Sequence, residues 1–296
     1  MTWIPQALHS LATFITEPLQ YSFMKHAILA GIIVGVLCAV MGCYVVLRSM
    51  AFLGDAMSHA ILPGVAVACL LGKDLAYGAL VAAIAVAVGL SFFTRRGAVK
   101  EDTAIGILFA GAFSLGVVLI SRMKSYAARN LTEILFGNVL GVSSKDLWHL
   151  GGLAVLVLAV VLVYYREFLV ISFDPILALT LKLKTERLQL LMFILLALTI
   201  VVSLQTVGVG LAAGMLITPG AAAYLLARRL PRMMLIAAAI GVVSSLIGAY
   251  ASYWFDVASG AAIVLAATGI FFLAFLFAPG RGLVWQRRSG RKPRRA

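Results

Sequence analysis

One apolar stretch follows another along this chain, each nearly long enough or long enough to cross a bilayer, with short polar segments between. That succession restricts the fold more than any other feature. A hydrophobic helix needs about 20 residues to span the hydrocarbon core, and such stretches lie at about 26–47, 52–71, 75–94, 103–121, 148–165, 189–205, 207–227, 233–254 and 258–278. Backbone polar groups in lipid must be bonded within their own segment, so each stretch is expected to be helical. The expected fold class is all-α, a polytopic transmembrane helix bundle of about eight to nine spans. Of the 296 residues, 63% are hydrophobic and 12% charged, against roughly half and a quarter in soluble domains. This balance excludes a soluble globular enzyme, a disordered chain and a coiled coil. The stretches at 52–71 and 207–227 are rich in Gly, Ala and Pro, and are the candidates for a broken or partly re-entrant path. Close helix packing in lipid relies on small residues, the role expected of Gly31, Gly35, Gly106, Gly111, Gly116, Gly208, Gly210 and Gly214.

The ends of the chain differ from its middle. Residues 1–25 form an N-terminal segment; within it, 4–23 reads as an amphipathic interfacial helix, too polar to span. It lacks a basic leading region and a compact apolar run, so no cleavable signal is expected. Residues 26–279 make the transmembrane domain, and 280–296 a basic tail holding Arg281, Arg287, Arg288, Arg291, Lys292, Arg294 and Arg295. The net charge of +13 owes much to that tail. Abutting a span, it reads as an anchor on an anionic cytoplasmic leaflet rather than a nucleic-acid site. With nine spans and the N-terminus outside, basic residues concentrate on the cytoplasmic side: Arg48, then Arg95, Arg96 and Lys100, then Arg166, Lys182, Lys184 and Arg187, then Arg228, Arg229 and Arg232, and the tail. The positive-inside rule therefore puts the C-terminus in the cytoplasm. Residues 131–143 are apolar but too short to cross, and read as re-entrant or interfacial. Cys38, Cys43 and Cys69 lack CxxC spacing and read as packing residues.

An ionisable group at membrane depth is a functional hypothesis by default. The sequence offers one such constellation, Asp55 with His59 four residues later in MAFLGDAMSHAILPGVAVACLL. The other acids fall at segment ends; Glu101, Asp102, Glu167, Asp174 and Glu186 are expected in cytoplasmic loops. A spacing of four puts both side chains on one helix face. A carboxylate and an imidazole there can share a divalent cation; such oxygen-plus-nitrogen sets suit manganese, iron and zinc. They can equally form an Asp–His hydrogen bond that locks helices together. Ser58 either assists or bonds back to its helix. Pro63 and Gly64 just beyond, and Pro219 and Gly220 in the second Gly-rich stretch, are expected to break helices near the pathway. Haem ligation would need a second buried His, and His9, His26 and His149 sit at segment ends. One pair is too few ligands for a tight site, which asks for a weak transit site or for a second copy from a C2 partner.

The charged section 166–187 is the other informative region. Asp174-Pro175 reads as a helix start, the acid capping and the proline in the first turn. Ile176, Leu177, Leu179, Leu181 and Leu183 then give a short helix a greasy face outside the membrane. It either lies on lipid or docks on a cytoplasmic partner. No Walker A pattern exists, since Gly72-Lys73 is followed by Asp74, and nothing has the form GxSxG or HExxH. The chain is thus expected to be neither an ATPase nor a membrane protease.

Together these strings resemble one family: the ABC-3 permeases, the membrane subunits of manganese/zinc/iron-type ABC importers. The resemblance runs from about residue 24 to 279. It is carried by MGCYVVLRSMAFLGDAMSHAILPGVAVA (41–68), ILFGNVLGVSSKDL (134–147), SFDP (172–175) and SLQTVGVGLAAGMLITPGAAAYLLARR (203–229). It implies a type II-like importer fold in the bacterial cell membrane, a homodimer or a pairing with a related permease, and a cation pathway at the dimer axis. Two cytoplasmic ATP-binding subunits would drive it, and an extracytoplasmic metal-binding lipoprotein would deliver the cargo. No permanently bound cofactor is implied, only the transported metal. The family's metal-coordinating Asp and His fall on Asp55 and His59. Its coupling region falls on 172–184, here Phe173, Asp174, Pro175, Leu177 and Leu181. The chain departs from the family where Ile176 replaces a glutamate after Asp-Pro, and where Thr180, Leu181 and Lys182 occupy a stretch that usually holds a glycine. SHAILPG is more similar to the manganese/iron branch than to the zinc branch. The alternative from another class is a stand-alone divalent-metal/proton antiporter, which would need a fuller ligand set and a further intramembrane acid.

Overall fold

The computed structural model describes residues 16–95, 99–122 and 141–278. A helical turn over 16–20 leads into α1 (Ser22–Leu47), followed by α2 (Leu53–Ala60), α3 (Leu62–Leu70), α4 (Leu75–Thr94), α5 (Glu101–Ser121) and α6 (Ser144–Val163). Then come α7 (Tyr165–Phe173), α8 (Pro175–Thr180), α9 (Thr185–Val207), α10 (Val209–Leu226), α11 (Leu230–Phe255) and α12 (Ser259–Phe277). No strand occurs among the described residues. Among the described residues, eight stretches are long and apolar enough to cross a membrane, counting α2 and α3 as one. A ninth helix, α10, has 18 residues. Residues 4–15 of the interfacial helix expected over 4–23, most of the 131–143 segment and the 280–296 tail lie outside the described residues.

The centre of the bundle is α1, with α9, α10 and α11 around it; α4, α5, α6 and α12 turn most of their surface outward. At about 1.5 Å per residue the 26 residues of α1 reach about 39 Å, more than the roughly 30 Å hydrocarbon thickness. α11 is equally long and runs antiparallel to it. The two approach closely at Gly35 and Gly241, where a Cβ on Gly35 would stand 2.8 Å from the Gly241 carbonyl oxygen. Ser245 Oγ donates to Gly31 O across the same seam at 2.8 Å. With no hydrophobic driving force between helices in lipid, such backbone proximity and hydrogen bonding hold the pair.

α10 crosses α1 at Gly42, where a Cβ would overlap the Leu216 carbonyl oxygen. Gly42→Ala should therefore lower the thermal unfolding temperature and the yield of detergent-purified protein, an overpacking cost of about 1–3 kcal/mol. Gly106 and Gly111 of α5 have nothing within 4 Å of such a Cβ, so the packing role expected of them is not seen within the protomer. Gly106→Ala should be neutral or slightly stabilising in the same measurement.

Two features of the chain path set up the site. First, the 52–71 stretch is divided: α2 ends at Ala60, and α3 begins at Leu62 with Pro63 in its first turn. Proline lacks the N–H that a continuing helix would use, and at a helix start that donor is not missed. Second, α9 and α10 are joined by a single residue, Gly208, at φ +86°. Ser203 Oγ lies 2.9 Å from Cys38 Sγ in α1. From that level α9 runs only about 6 Å further to its end, whereas α1 continues about 24 Å to Ser22. The α9–α10 hairpin therefore turns deep within the span of α1. Its backbone stays bonded, Gly208 N–H to Leu204 O and Ala212 N–H to Gly208 O, as non-spanning backbone at this depth must be.

Candidate metal site

α2 is short because both of its ends are fixed by the local sequence. Upstream, α1 closes with Met50 N–H donating to Val45 O at 3.0 Å, and Ser49 takes a left-handed φ of 57°. Downstream lies the break before Pro63. Between these ends α2 has two faces. Leu53, Ala56, Met57 and Ala60 are buried and, with residues of α4 and α5, line a small apolar cavity. Asp55 and His59 share the other face, their side chains 44% and 31% exposed on this protomer.

His59 Nε2 stands 3.6 Å from Asp55 Oδ1, beyond hydrogen-bonding range. The pair is therefore not locked to itself. His59 Nδ1 is buried with no hydrogen-bond partner among the described residues. The ring is positioned by carbon instead: Phe109 and Phe113 of α5 lie 6.1 and 5.9 Å from it between centroids and stack on each other, while Phe52 packs edge-on against Phe109. This wall orients the imidazole without engaging either nitrogen. Ser58 Oγ donates to Gly54 O at 2.7 Å, so its hydroxyl serves the helix. No group of three or more His, Cys, Asp or Glu able to hold a metal occurs among the described residues. His26 belongs to the far end of α1, where Ser144 Oγ is 3.3 Å from its Nε2.

The two Pro-Gly pairs behave differently. Pro63 starts α3, while Gly64 meets the backbone of Gly78 in α4 so closely that either Cβ would collide with the other chain segment. Pro219 lies inside α10, which runs unbroken from Val209 to Leu226, and Gly220 packs on the backbone of Gly42. In place of the break expected at Pro219 and Gly220, the helix is continuous and seats Gly220 on α1.

Asp174 caps α8, its Oδ1 accepting from Ile176 N–H at 3.0 Å and Leu177 N–H at 2.9 Å. Phe173, Ile176, Leu177, Leu179 and Leu181 are exposed, while Ala178 of this short helix is fully buried. Leu183 N–H donates to Ala178 O, fastening α8 to the start of α9.

Glu101 departs from its expected place in a loop. It opens α5, where a carboxylate is favoured at the helix N-terminus, and it is ion-paired with Arg48 at the end of α1. The same carboxylate oxygen accepts from Gln189 Nε2 of α9 at 2.6 Å. Arg48 also lies 5.9 Å from the Phe193 ring centroid. The sequence signal was there in part: Arg48 stands seven residues before Asp55, and Glu101-Asp102 opens an apolar run.

Comparison with known proteins converges on one family. Residues 20–278 match the ABC 3 transport family. The manganese transport system membrane protein MntC of Halalkalibacterium halodurans is 44% identical over 285 residues, covering 96% of this chain and 97% of that one. The chelated iron transport system membrane protein YfeD of Yersinia pestis is 40% identical over 270 residues, covering 91% and 90%. PsaBC from Streptococcus pneumoniae, solved in complex with Fab, superposes with a TM-score of 0.81 at 35% identity, over 94% of this chain and 99% of that chain. On this similarity, which runs through all of the described helices, the chain belongs to the ABC 3 transport family.

Proposed function

We propose that this chain is the membrane permease subunit of an ATP-binding-cassette importer carrying manganese, with iron as second cargo, into the bacterial cytoplasm, and that Asp55 and His59 ligate the ion in transit. The observation that carries this reading is the Asp55–His59 pair itself, in loose 3.6 Å contact without a hydrogen bond on one part-exposed face of α2, in a chain whose relatives are named for manganese and iron transport. Two ligands at about 2.1 Å from a common cation and 3.6 Å from each other subtend about 118° there, a bite compatible with tetrahedral or wider coordination. Two groups hold a cation weakly, and a pathway requires weak binding so that the ion can leave. A second copy of the chain, or a related permease, related by a two-fold axis would bring a second pair to the same ion.

No phosphate-binding loop is present in the sequence, so ATP hydrolysis belongs to a pair of cytoplasmic subunits docked on α8. An extracytoplasmic metal-binding lipoprotein supplies the ion from the other side. A stand-alone antiporter would require a third ligand and a proton-coupling acid; none joins the pair among the described residues.

The test is metal accumulation in cells that depend on this system. Manganese uptake several-fold above that of permease-deficient cells, dependent on the ATPase subunit, is the expected result. Accumulation of zinc but not manganese would overturn the cargo, and uptake that persists without the ATPase would return the antiporter. Truncation after residue 280 should lower the amount of inserted permease more than the rate per inserted molecule. Each of its basic residues contributes about 1 kcal/mol near an anionic leaflet, so surface-normalised uptake is the measurement that checks it.

A further inference from the structure

The part-buried ion pair where α1 ends joins elements that the chain order keeps apart. Arg48 ends α1 and is separated from α2 only by residues 49–52, which carry the left-handed Ser49 and the Met50 to Val45 bond. Its side chain is 11% exposed, and Glu101 is 26% exposed. Arg48 donates to Glu101 and also approaches Met192 Sδ of α9 at 3.7 Å. Gln189 Nε2 donates to Glu101 Oε1 and lies 3.4 Å from Thr94 Oγ1 at the end of α4. Beside it, Arg95 donates to Glu186 at 2.6 Å. The start of α9 is thus tied at once to the root of α2, to the end of α4 and to the root of α5.

Those ties have a direction. Four residues lie between the end of α8 and the start of α9, and the Leu183 to Ala178 bond fastens the connecting turn to α8. α5 carries Phe109 and Phe113, the wall that orients His59. A displacement of α8 therefore reaches α9, then Gln189, then Glu101 and Arg48, and so both the helix that bears Asp55 and His59 and the wall that holds the imidazole. The cluster lies at low exposure, where charge-assisted bonds are directional and strong.

Resting on the permease reading above, we propose that Arg48, Glu101 and Gln189 are positioning residues that couple movement of the α8 docking segment to the Asp55/His59 helix. They do not touch the ion. Their work is to transmit, so disrupting them should separate ATP hydrolysis from metal movement while leaving the complex assembled.

The experiment uses the complete complex of permease, ATPase subunits and metal-binding lipoprotein in liposomes, with manganese uptake and ATP hydrolysis measured together. Glu101→Gln and Gln189→Leu should keep ATP hydrolysis within about twofold of wild type and reduce manganese moved per ATP by about tenfold and threefold respectively. A fold defect is separated from a coupling defect by the double variant Arg48→Met/Glu101→Gln. Removing both charges of this part-buried pair leaves no unpaired charge behind, so this variant should assemble normally and still be uncoupled. Restoration of wild-type manganese per ATP in the double variant would show that the pair serves only to neutralise itself, and would overturn the proposal. So would full coupling in Glu101→Gln, or loss of the ATPase subunits from both Glu101→Gln and the double variant. Wild-type complex that hydrolyses ATP without importing manganese, iron or zinc would instead bring down the permease reading on which this rests.

Discussion

Asp55→Ala and His59→Ala are each expected to reduce manganese uptake about 100-fold, with the protein still folded and assembled in the membrane. Even groups outside the first coordination shell cost about 10–100-fold in metal affinity when removed. Loss of one of two ligands on α2 should cost at least that much. Folding is not at risk for two reasons. Both side chains are part-exposed on the protomer, and neither is hydrogen-bonded to the other at 3.6 Å. Ser58→Ala provides the contrast, because the Ser58 hydroxyl bonds to Gly54 O within the helix; uptake should stay near wild type. Normal uptake by well-expressed Asp55→Ala or His59→Ala would remove the ligand assignment and leave the pair a structural one. Strong loss in Ser58→Ala would show instead that the integrity of α2, not its ligands, is being measured.

Leu177→Asp is expected to detach or uncouple the ATPase subunits. Leu177 is 46% exposed on α8, flanked by Phe173, Ile176 and Leu181 on the same short segment, all of them exposed. If that face is the docking surface, the substitution buries an unpaired carboxylate in it, at a cost of about 3 kcal/mol or about 100-fold in affinity. The permease alone should be unaffected, since Leu177 packs little within it. Purified complexes of Leu177→Asp that retain their ATPase subunits and import manganese at the wild-type ratio to ATP would place docking elsewhere. Asp174→Ala should act in the same direction but more weakly, since it removes a cap that accepts two backbone N–H bonds, worth about 1 kcal/mol.

Much of the architecture could be read directly from residue patterns. Apolar runs of about 20 residues become helices because lipid offers the backbone no other partner. The start of α8 at Asp174-Pro175 and the restart of the chain at Pro63 are local effects: a side chain that accepts nearby N–H groups, and a ring that cannot donate. The shared face of Asp55 and His59 follows from helical spacing alone. Proline, by contrast, misled at position 219. Whether it breaks a helix depends on the helix's surroundings as well as on the ring, and here the helix runs on through it.

What remained hidden was everything that depends on which helices meet. Gly42 and Gly106 look alike as glycines in apolar runs, yet one lies against the carbonyl of Leu216 and the other faces open space. Nothing near His59 in the chain announces Phe109 and Phe113, which arrive from α5. Glu101 reads as a loop acid until Arg48 and Gln189, 53 and 88 residues away, converge on it. The sequence by itself determined the helices, the family and the candidate pair on α2, because hydrogen-bond satisfaction in lipid and a spacing of four are local constraints. Only the tertiary structure decided how that pair is oriented and what it is tied to, because helix contacts in a membrane are selected by backbone proximity and by the burial of a few charges, interactions between residues far apart in the chain.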